Sequence, residues 1–316
     1  MQKQTADGKR YSQISDKWFA LLLILPISLW VMVVFVFPLL YAFWLSFQNA
    51  TVLGAPSRFI GLENYVTLLS DPAFKTSIRL SLVWVFGNAI VQTIAGFTAA
   101  LLLNYPLRKY RVLQPVIIMS WVVPAAISAL IWKWLLSASY GVVNNLLLKW
   151  GIIASPIVFL GKPNLTMISV ILVNSWRWFP FFAVIILAAL QNIPREEYDA
   201  ATMEGASSFQ QFWHVTQPYL APTLAVMALI GTILSFNVFD VIYLMTNGGP
   251  MGQTTTLPVL IYKRAFEAYQ MSQAATIGAY MFLIALGFAL LLFYGGAIAR
   301  SFRGVVTRQK PIQSNE

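Results

Sequence analysis

The 316-residue sequence predicts an all-α polytopic membrane protein with six transmembrane helices. Hydrophobic residues make up 58% of the chain and charged residues only 10%, whereas a soluble domain carries about 25% charged residues. Six apolar runs are each long enough to cross a hydrocarbon core of about 30 Å at about 1.5 Å per residue. A helix satisfies its own backbone hydrogen bonds in lipid, so each run is expected to be helical.

The predicted spans define one membrane domain, residues 18–299, between an N-tail at 1–17 and a C-tail at 300–316. The six spans cover 18–47, 78–104, 113–136, 165–190, 219–245 and 272–299. The first run is longer than the roughly 7–15-residue apolar segment of a signal peptide, so it is expected to be a retained helix.

The distribution of basic residues predicts the topology. Segments 1–17, 104–112, 191–218 and 300–316 carry twelve Lys and Arg, while the opposite loops carry six. Positive charge favours the cytoplasmic side, so both termini and the 193–218 loop are expected there. The net charge of +10 fits anionic lipid headgroups. The sequence has no basic-aromatic RNA-binding pattern, and no nucleic-acid partner is predicted.

Composition argues against several kinds of chemistry. The sequence has no cysteine and one histidine, His214. Disulfides, thiolate metal sites and cysteine nucleophiles are therefore excluded, and a metal site of the usual kinds is not expected. No span holds paired acidic residues, which disfavours an intramembrane enzyme.

Polar residues inside the spans are candidate pathway residues. Arg177 lies in "NSWRWFPFF" of the fourth span, where it would cost about 2.5–3.5 kcal/mol facing lipid, so it should face protein or water. Asp240 lies toward the outer end of the fifth span, near Ser235 and Asn237. A structural ion pair or snorkelling at the interface remains an alternative. Trp178 and Phe181 could stack on a sugar ring, although aromatic belts have a similar composition.

The stretch 193–218 is the least apolar part of the middle of the chain. Its acidic residues follow Pro194 at a predicted helix start, where the helix dipole accounts for them. Gly205 to Ser208 should break this helix, with Ser208 as the N-cap of a second helix that ends before Pro218. The exposed aromatic residues of the second helix would need a covering partner. The pattern favours a helix-turn-helix that docks another protein, here called the elbow (residues 193–218), over an active site.

The segment "EEYDAATMEGASSFQQFWHVTQP" resembles the EAA loop of ABC-transporter permeases. Asp199, Ala200, Ala201 and Gly205 match the first half of that motif, and Val215 and Pro218 match the second. Asp199, Val215 and Gln217 replace the usual Glu, Ile and Leu. "GLENYVTLLSDPAF", "YGVVNNLL", "WFPFFAVIILAALQNIP" and "TNGGPMGQTTTL" are similar to the binding-protein-dependent sugar-import group, the MalF/UgpA-like permeases. The resemblance implies a type I ABC importer permease with a cytoplasmic coupling elbow.

The resemblance also implies the partners. These are a second homologous permease, two ATP-binding cassette subunits and an extracytoplasmic solute-binding protein, all at the bacterial cytoplasmic (inner) membrane. The sequence has no phosphate-binding P-loop motif, so this chain is expected to bind no cofactor, and ATP and Mg would be used by the ATPase subunits. The residues expected to couple to the ATPase are Glu197, Asp199, Ala200, Ala201, Glu204, Gly205, Ala206, Phe209, Phe212, Val215 and Pro218.

The expected substrate-pathway residues come from two sources. The resemblance implies Asn174, Arg177, Trp178, Phe181, Ser235 and Trp121, and polarity adds Asn237 and Asp240. The implied cargo is a mono- or oligosaccharide, and an arginine in the path is compatible with either an acidic or a neutral sugar. A polyol, glycerol phosphate ester or amino acid is an alternative cargo. A solute channel is the other class considered, and it has no need of a coupling elbow.

Overall fold

The computed structural model describes residues 16–52, 54, 56–104 and 113–307, and within these ranges the chain is built from helices without a named strand. Helix α1 begins at Asp16 and ends at Ser46, with a π-helical turn at Met32–Val36. Next come α2 (Glu63–Ser70), α3 (Pro72–Asn104), α4 (Leu113–Val122), α5 (Ala125–Leu135), α6 (Val142–Lys149) and α7 (Pro163–Gln191). The remainder are α8 (Arg195–Met203), α9 (Ser208–Phe236), α10 (Asp240–Thr246), α11 (Leu257–Tyr262, continued by a π turn at Lys263–Glu267) and α12 (Met271–Thr307).

The described helices confirm the predicted fold class. Five of them are long and apolar enough to cross a membrane, and the bent pair α4 and α5 makes up to six. Two short helices, α2 and α6, lie in the loops between the spans. Most of the predicted N-tail, residues 105–112 of the basic loop, and residues 308–316 lie outside the described residues.

The third span is broken, so the prediction of one helix over 113–136 was wrong. Helix α4 ends at Val122, and the axis of α5 is bent from that of α4 by 103°. Pro124 has no N–H to continue the helical ladder and pushes Val123 out of helical geometry. The Pro124 carbonyl oxygen accepts a hydrogen bond from the Ser128 N–H at 2.9 Å, in the first turn of α5.

The fifth span is displaced relative to the predicted 219–245. Helix α9 runs without interruption from Ser208 to Phe236, and Asp240 starts a separate helix. At the C-terminus of α9, the Asn237 side-chain amide donates to the Ile233 carbonyl at 2.8 Å. That bond satisfies a carbonyl left free where the backbone ladder stops. Asp240 therefore lies beyond the long helix rather than within it.

Helices α3 and α7 pack against each other at the centre of the fold, and two glycines allow this close approach. A Cβ on Gly87 would lie 2.7 Å from Ile171 Cδ1, and one on Gly96 would lie 2.6 Å from Phe182 Cβ. Small residues at such crossings let helix backbones approach closely. One apolar cluster surrounds Trp84, and a second, which includes Ile186 and Leu220, extends to the residues that join the elbow.

Candidate functional sites

Helix α8, the turn 204–207 and the start of α9 form the elbow that the sequence predicted. The turn closes α8 with two hydrogen bonds, from Gly205 N to Thr202 O and from Ala206 N to Ala201 O, both 2.9 Å. Gly205 has φ +76°, the left-handed conformation that glycine adopts without steric cost. This pair of bonds around a left-handed glycine is a Schellman motif. The glycine of the EAA-like segment is therefore required by the turn.

The second arm of the elbow begins with a capping box. The Ser207 hydroxyl accepts the Gln210 N–H at 3.4 Å, and the Ser207 N–H donates to Gln210 Oε1 at 2.8 Å. Ser207 is thus the N-cap, and the predicted cap, Ser208, is the first helical residue. The reciprocal bonds satisfy two backbone groups that a helix start leaves unpaired.

The second arm does not end before Pro218 as predicted. A π-helical turn at Phe212–Thr216 joins it directly to the rest of α9. Proline cannot donate a backbone hydrogen bond and normally interrupts a helix. Here the wider turn immediately before Pro218 accommodates that missing bond, as π turns do within longer helices. The elbow and the membrane span are consequently one continuous helix.

Buried contacts join the elbow to the helical core. Tyr198 on α8 and Thr216 on α9 share a hydrogen bond of 2.9 Å between their hydroxyl oxygens. The Phe212 ring packs edge-on against Phe97 of α3, with centroids 5.8 Å apart. Val215 is 8% exposed within the apolar cluster that includes Leu220. Movement of the elbow would therefore be passed to α9 and α3.

A groove of about 490 Å³ lies between the two arms of the elbow. The predicted coupling residues on its walls are Glu197, Ala200, Ala201, Glu204, Gly205, Ala206 and Val215. Asp199 and Pro218 are exposed outside the groove. His214 lies on the wall with Nδ1 2.9 Å from the Gln210 carbonyl oxygen.

The tip of the elbow is apolar and uncovered. Met203 is 89% exposed, Phe209 72% and Trp213 52%. Phe209 and Trp213 stand edge-on to each other, with ring centroids 6.2 Å apart. Phe212, also expected to couple to the ATPase, is half-buried against α3. The tip has the aromatic composition typical of the centre of a protein interface.

Four of the predicted pathway residues come together between α4 and α7. The Arg177 guanidinium carbon lies 5.1 Å from the centroid of the Trp178 ring, within the range of a cation–π interaction. Trp178 packs on Phe181 at 5.8 Å, and Phe181 packs on Trp121 at 5.7 Å. Arg177 is half-buried. Asp240, the first residue of α10, forms no ion pair with Arg177 within 4 Å.

The other predicted pathway residues lie elsewhere. Asn174 is fully buried and donates to Asn88 Oδ1 at 2.7 Å, so its side chain faces α3. Ser235 is 6% exposed, and its carbonyl oxygen accepts the Trp84 indole N–H at 2.9 Å. Asn237 borders a separate cavity between α9 and α12. Asn174 and Ser235 therefore contribute to contacts between helices of this chain, and Asn237 lies at a different cavity from the Arg177 cluster.

Sequence reasoning missed a buried polar network on α3. Asn88 Oδ1 accepts hydrogen bonds from Asn174, from Gln92 at 3.0 Å and from Ser175 at 3.3 Å. All four side chains are at most 2% exposed. Two amides four residues apart in the apolar segment "GNAIVQT" share one helical face, which is the signal that would have revealed the network.

Residues 92–303 match the family model described as binding-protein-dependent transport system inner membrane component. The chain belongs to this family. Its helices are arranged as in type I ABC importer permeases, and the chain is a transport component with several membrane spans.

Relatives and solved structures agree with that assignment. The trehalose/maltose transport system permease protein MalF of Thermococcus litoralis is 34% identical, over 88% of this chain and 94% of that protein. The sulfoquinovosyl glycerol permease SmoG of Agrobacterium fabrum is 30% identical, over 90% of this chain and 92% of that protein. A chain of a bacterial alginate ABC transporter, crystallised with an alginate pentasaccharide-bound periplasmic protein, gives a TM-score of 0.75 at 25% identity, covering 87% of this chain and 93% of that chain.

Proposed function

We propose that this permease forms, with a second homologous permease, the path by which an ATP-driven importer takes up a carbohydrate. The relatives named above carry trehalose or maltose and sulfoquinovosyl glycerol. The cluster of Trp121, Arg177, Trp178 and Phe181 supports this cargo class. A sugar ring presents an apolar face that aromatic rings cover and hydroxyl groups that accept hydrogen bonds from a guanidinium.

The energy for transport comes from separate ATPase subunits that bind the elbow. The single observation that carries this proposal is the elbow itself, a fixed helix-turn-helix whose exposed tip of Met203, Phe209 and Trp213 has no cover within the described chain. The permease sequence contains no P-loop motif. ATP and Mg therefore belong to the partner subunits, and this chain supplies the surface they move.

Helix α9 transmits that movement. It extends over 29 residues from the elbow, which corresponds to about 44 Å at the α-helical rise. Because the elbow and the span are one helix, a shift of the elbow displaces the whole length of α9. Closure of the ATPase dimer would in this way switch the paired permeases from inward- to outward-facing.

The proposed topology follows from that arrangement. The elbow and both termini face the cytoplasm, and the opposite end of the bundle faces the solute-binding protein. The alginate transporter, crystallised with its saccharide-loaded periplasmic protein, supports a partner of this kind. The binding protein would release sugar over the ends of α9 and α10.

The test is ATPase activity and sugar uptake by the complete transporter in proteoliposomes, with and without sugar-loaded binding protein. Phe209→Ala combined with Trp213→Ala should abolish the rise in ATP hydrolysis that the binding protein causes. Trp30→Ala combined with Phe35→Ala, at an edge-on aromatic pair of similar exposure on α1, is the matched control and should keep that rise. Full stimulation in the double variant would refute docking through the elbow, and uptake without ATP would refute the importer.

A further inference from the structure

Four aromatic rings stack at the end of α9 that is remote from the elbow. Phe239 and Tyr243 are parallel with centroids 4.9 Å apart, and Tyr262 lies 5.0 Å from the first and 4.7 Å from the second. Phe266 extends the stack, 5.1 Å from Tyr262. These four rings, here called the aromatic ladder, join the start of α10 to α11 and its π turn.

The ladder is open to the surroundings and has one polar edge. Phe266 is 58% exposed and the other three rings are half-buried. The Tyr243 hydroxyl donates to Glu267 Oε1 at 3.3 Å. Within the described part of the chain, no basic side chain lies within 4 Å of the Glu267 carboxylate, since the ion pair found there is between Arg264 and Asp71.

The neighbouring loop is held by hydrogen bonds that involve no ring of the ladder. The Thr246 and Thr254 hydroxyl oxygens are 2.7 Å apart, and Thr254 N donates to Gly248 O at 3.1 Å. The Leu257 N–H donates to Ser81 Oγ at 2.8 Å and ties the loop to α3. The exposed Phe266 ring makes its aromatic contact with Tyr262 and takes no part in these bonds.

We propose that the aromatic ladder is an entry subsite for a neutral pyranose ring. The apolar face of the sugar would lie on Phe266 and Tyr262, while its hydroxyl groups would bond to the Tyr243 hydroxyl and the Glu267 carboxylate. A carboxylate with no basic side chain within 4 Å accepts further hydroxyl hydrogen bonds and repels a uronate or a phosphate. This inference rests on the proposed carbohydrate transport and narrows its cargo to uncharged sugars.

The ladder also connects with the inner cluster. Helix α10, which begins directly after Phe239, packs against α7, the helix that carries Arg177. Arg177 in turn lies over Trp178. A saccharide held at the ladder would therefore pass next to the Arg177 cluster.

Saturation-transfer NMR on the complete transporter in nanodiscs tests the subsite with maltose as the neutral probe and glucuronate as the anionic one. Irradiation of the aromatic protons should transfer saturation to the ring protons of maltose and much less to those of glucuronate. Phe266→Ala should reduce the maltose signal about fivefold, the effect expected for loss of one aromatic stacking partner. Phe266→Trp should restore it, and Trp150→Ala should leave it unchanged.

A second variant tests the charge. Glu267→Gln keeps the shape and an acceptor oxygen but removes the negative charge, so the glucuronate signal should rise at least threefold. Equal maltose signals in wild type and Phe266→Ala, no maltose signal in wild type, or a glucuronate signal that Glu267→Gln does not change would each overturn the subsite. Stimulation of ATP hydrolysis by the binding protein is measured separately, so loss of the subsite is distinguishable from failure of the importer itself.

Discussion

Tyr198 and Thr216 hold the two arms of the elbow together through a hydrogen bond of 2.9 Å between their hydroxyl groups. Tyr198 is half-buried and Thr216 is 6% exposed. The bond lies where α8 meets the π turn of α9, next to the apolar cluster around Ile186 and Leu220. The bond ties α8 to the start of α9, so with a partner docked on the elbow as proposed, its loss should affect coupling before it affects folding.

The first prediction concerns that bond. Tyr198→Phe and Thr216→Val should each reduce binding-protein-stimulated ATP hydrolysis, and the double variant should be no worse than either single one. A double-mutant cycle on the stability of the purified complex should give a coupling energy of about 1 kcal/mol, as for a typical net hydrogen bond. Thr98→Ala, which removes an exposed bond of 2.8 Å to the Ile94 carbonyl on α3, is the control. Strictly additive effects at Tyr198 and Thr216 would contradict the proposed role.

The second prediction concerns the turn glycine. Gly205→Val places a β-branched side chain at φ +76° and should strain the Schellman turn by about 1–2 kcal/mol. No heavy atom lies within 4 Å of the position its Cβ would take, so the cost comes from the backbone alone. Uptake should fall severalfold while the amount of membrane-inserted protein stays the same.

Gly151→Val is the matched control for the turn. Gly151 also has a positive φ, +69°, with open space around it, but it lies in the loop after α6. It should carry a similar strain without uncoupling ATP hydrolysis from uptake. Normal coupling in Gly205→Val, or equal loss of coupling in both variants, would contradict the elbow assignment.

The apolar runs and the elbow could be predicted from the sequence because each depends on local signals. Long hydrophobic segments dictate helices in lipid, and the run of small residues from Gly205 to Ser208 marks a turn. The break near Pro124 was missed because its apolar neighbours conceal it in a hydropathy pattern. The continuation of α9 through Pro218 was also missed. A proline normally ends a helix, and the π turn that accommodates Pro218 within α9 leaves no signal in the sequence pattern.

The pathway residues were harder to predict because position along a span does not determine which neighbour a side chain faces. Arg177 and Asn174 are three residues apart, yet one lies over Trp178 and the other is buried against Asn88. The aromatic ladder combines residues from α10 and α11 that are separated by a loop. Only the packing of these helices brings Tyr243 and Tyr262 together.

The third prediction concerns Arg177. Arg177→Ala should raise the sugar concentration at half-maximal uptake about tenfold, because a charged donor to a sugar hydroxyl contributes about 1.5–3 kcal/mol. Copurification with the other subunits should be unchanged, and Arg177→Lys should recover part of the loss. Lys133→Ala, which removes an exposed bond to the Leu244 carbonyl, is the control cation. Unchanged uptake kinetics in Arg177→Ala would show that Arg177 does not contact the sugar during transport.

The fourth prediction concerns the buried network of α3 and α7. Asn88→Ala leaves the amide groups of Asn174 and Gln92 and the Ser175 hydroxyl without their shared acceptor, and each unpaired buried group costs about 1–3 kcal/mol. The purified complex should therefore unfold at a markedly lower temperature in a thermal shift assay. Thr98→Ala removes an exposed bond to the Ile94 carbonyl on the same helix and should cause little change. If Asn88→Ala and Thr98→Ala shift the transition equally, the network does not stabilise the contact between α3 and α7.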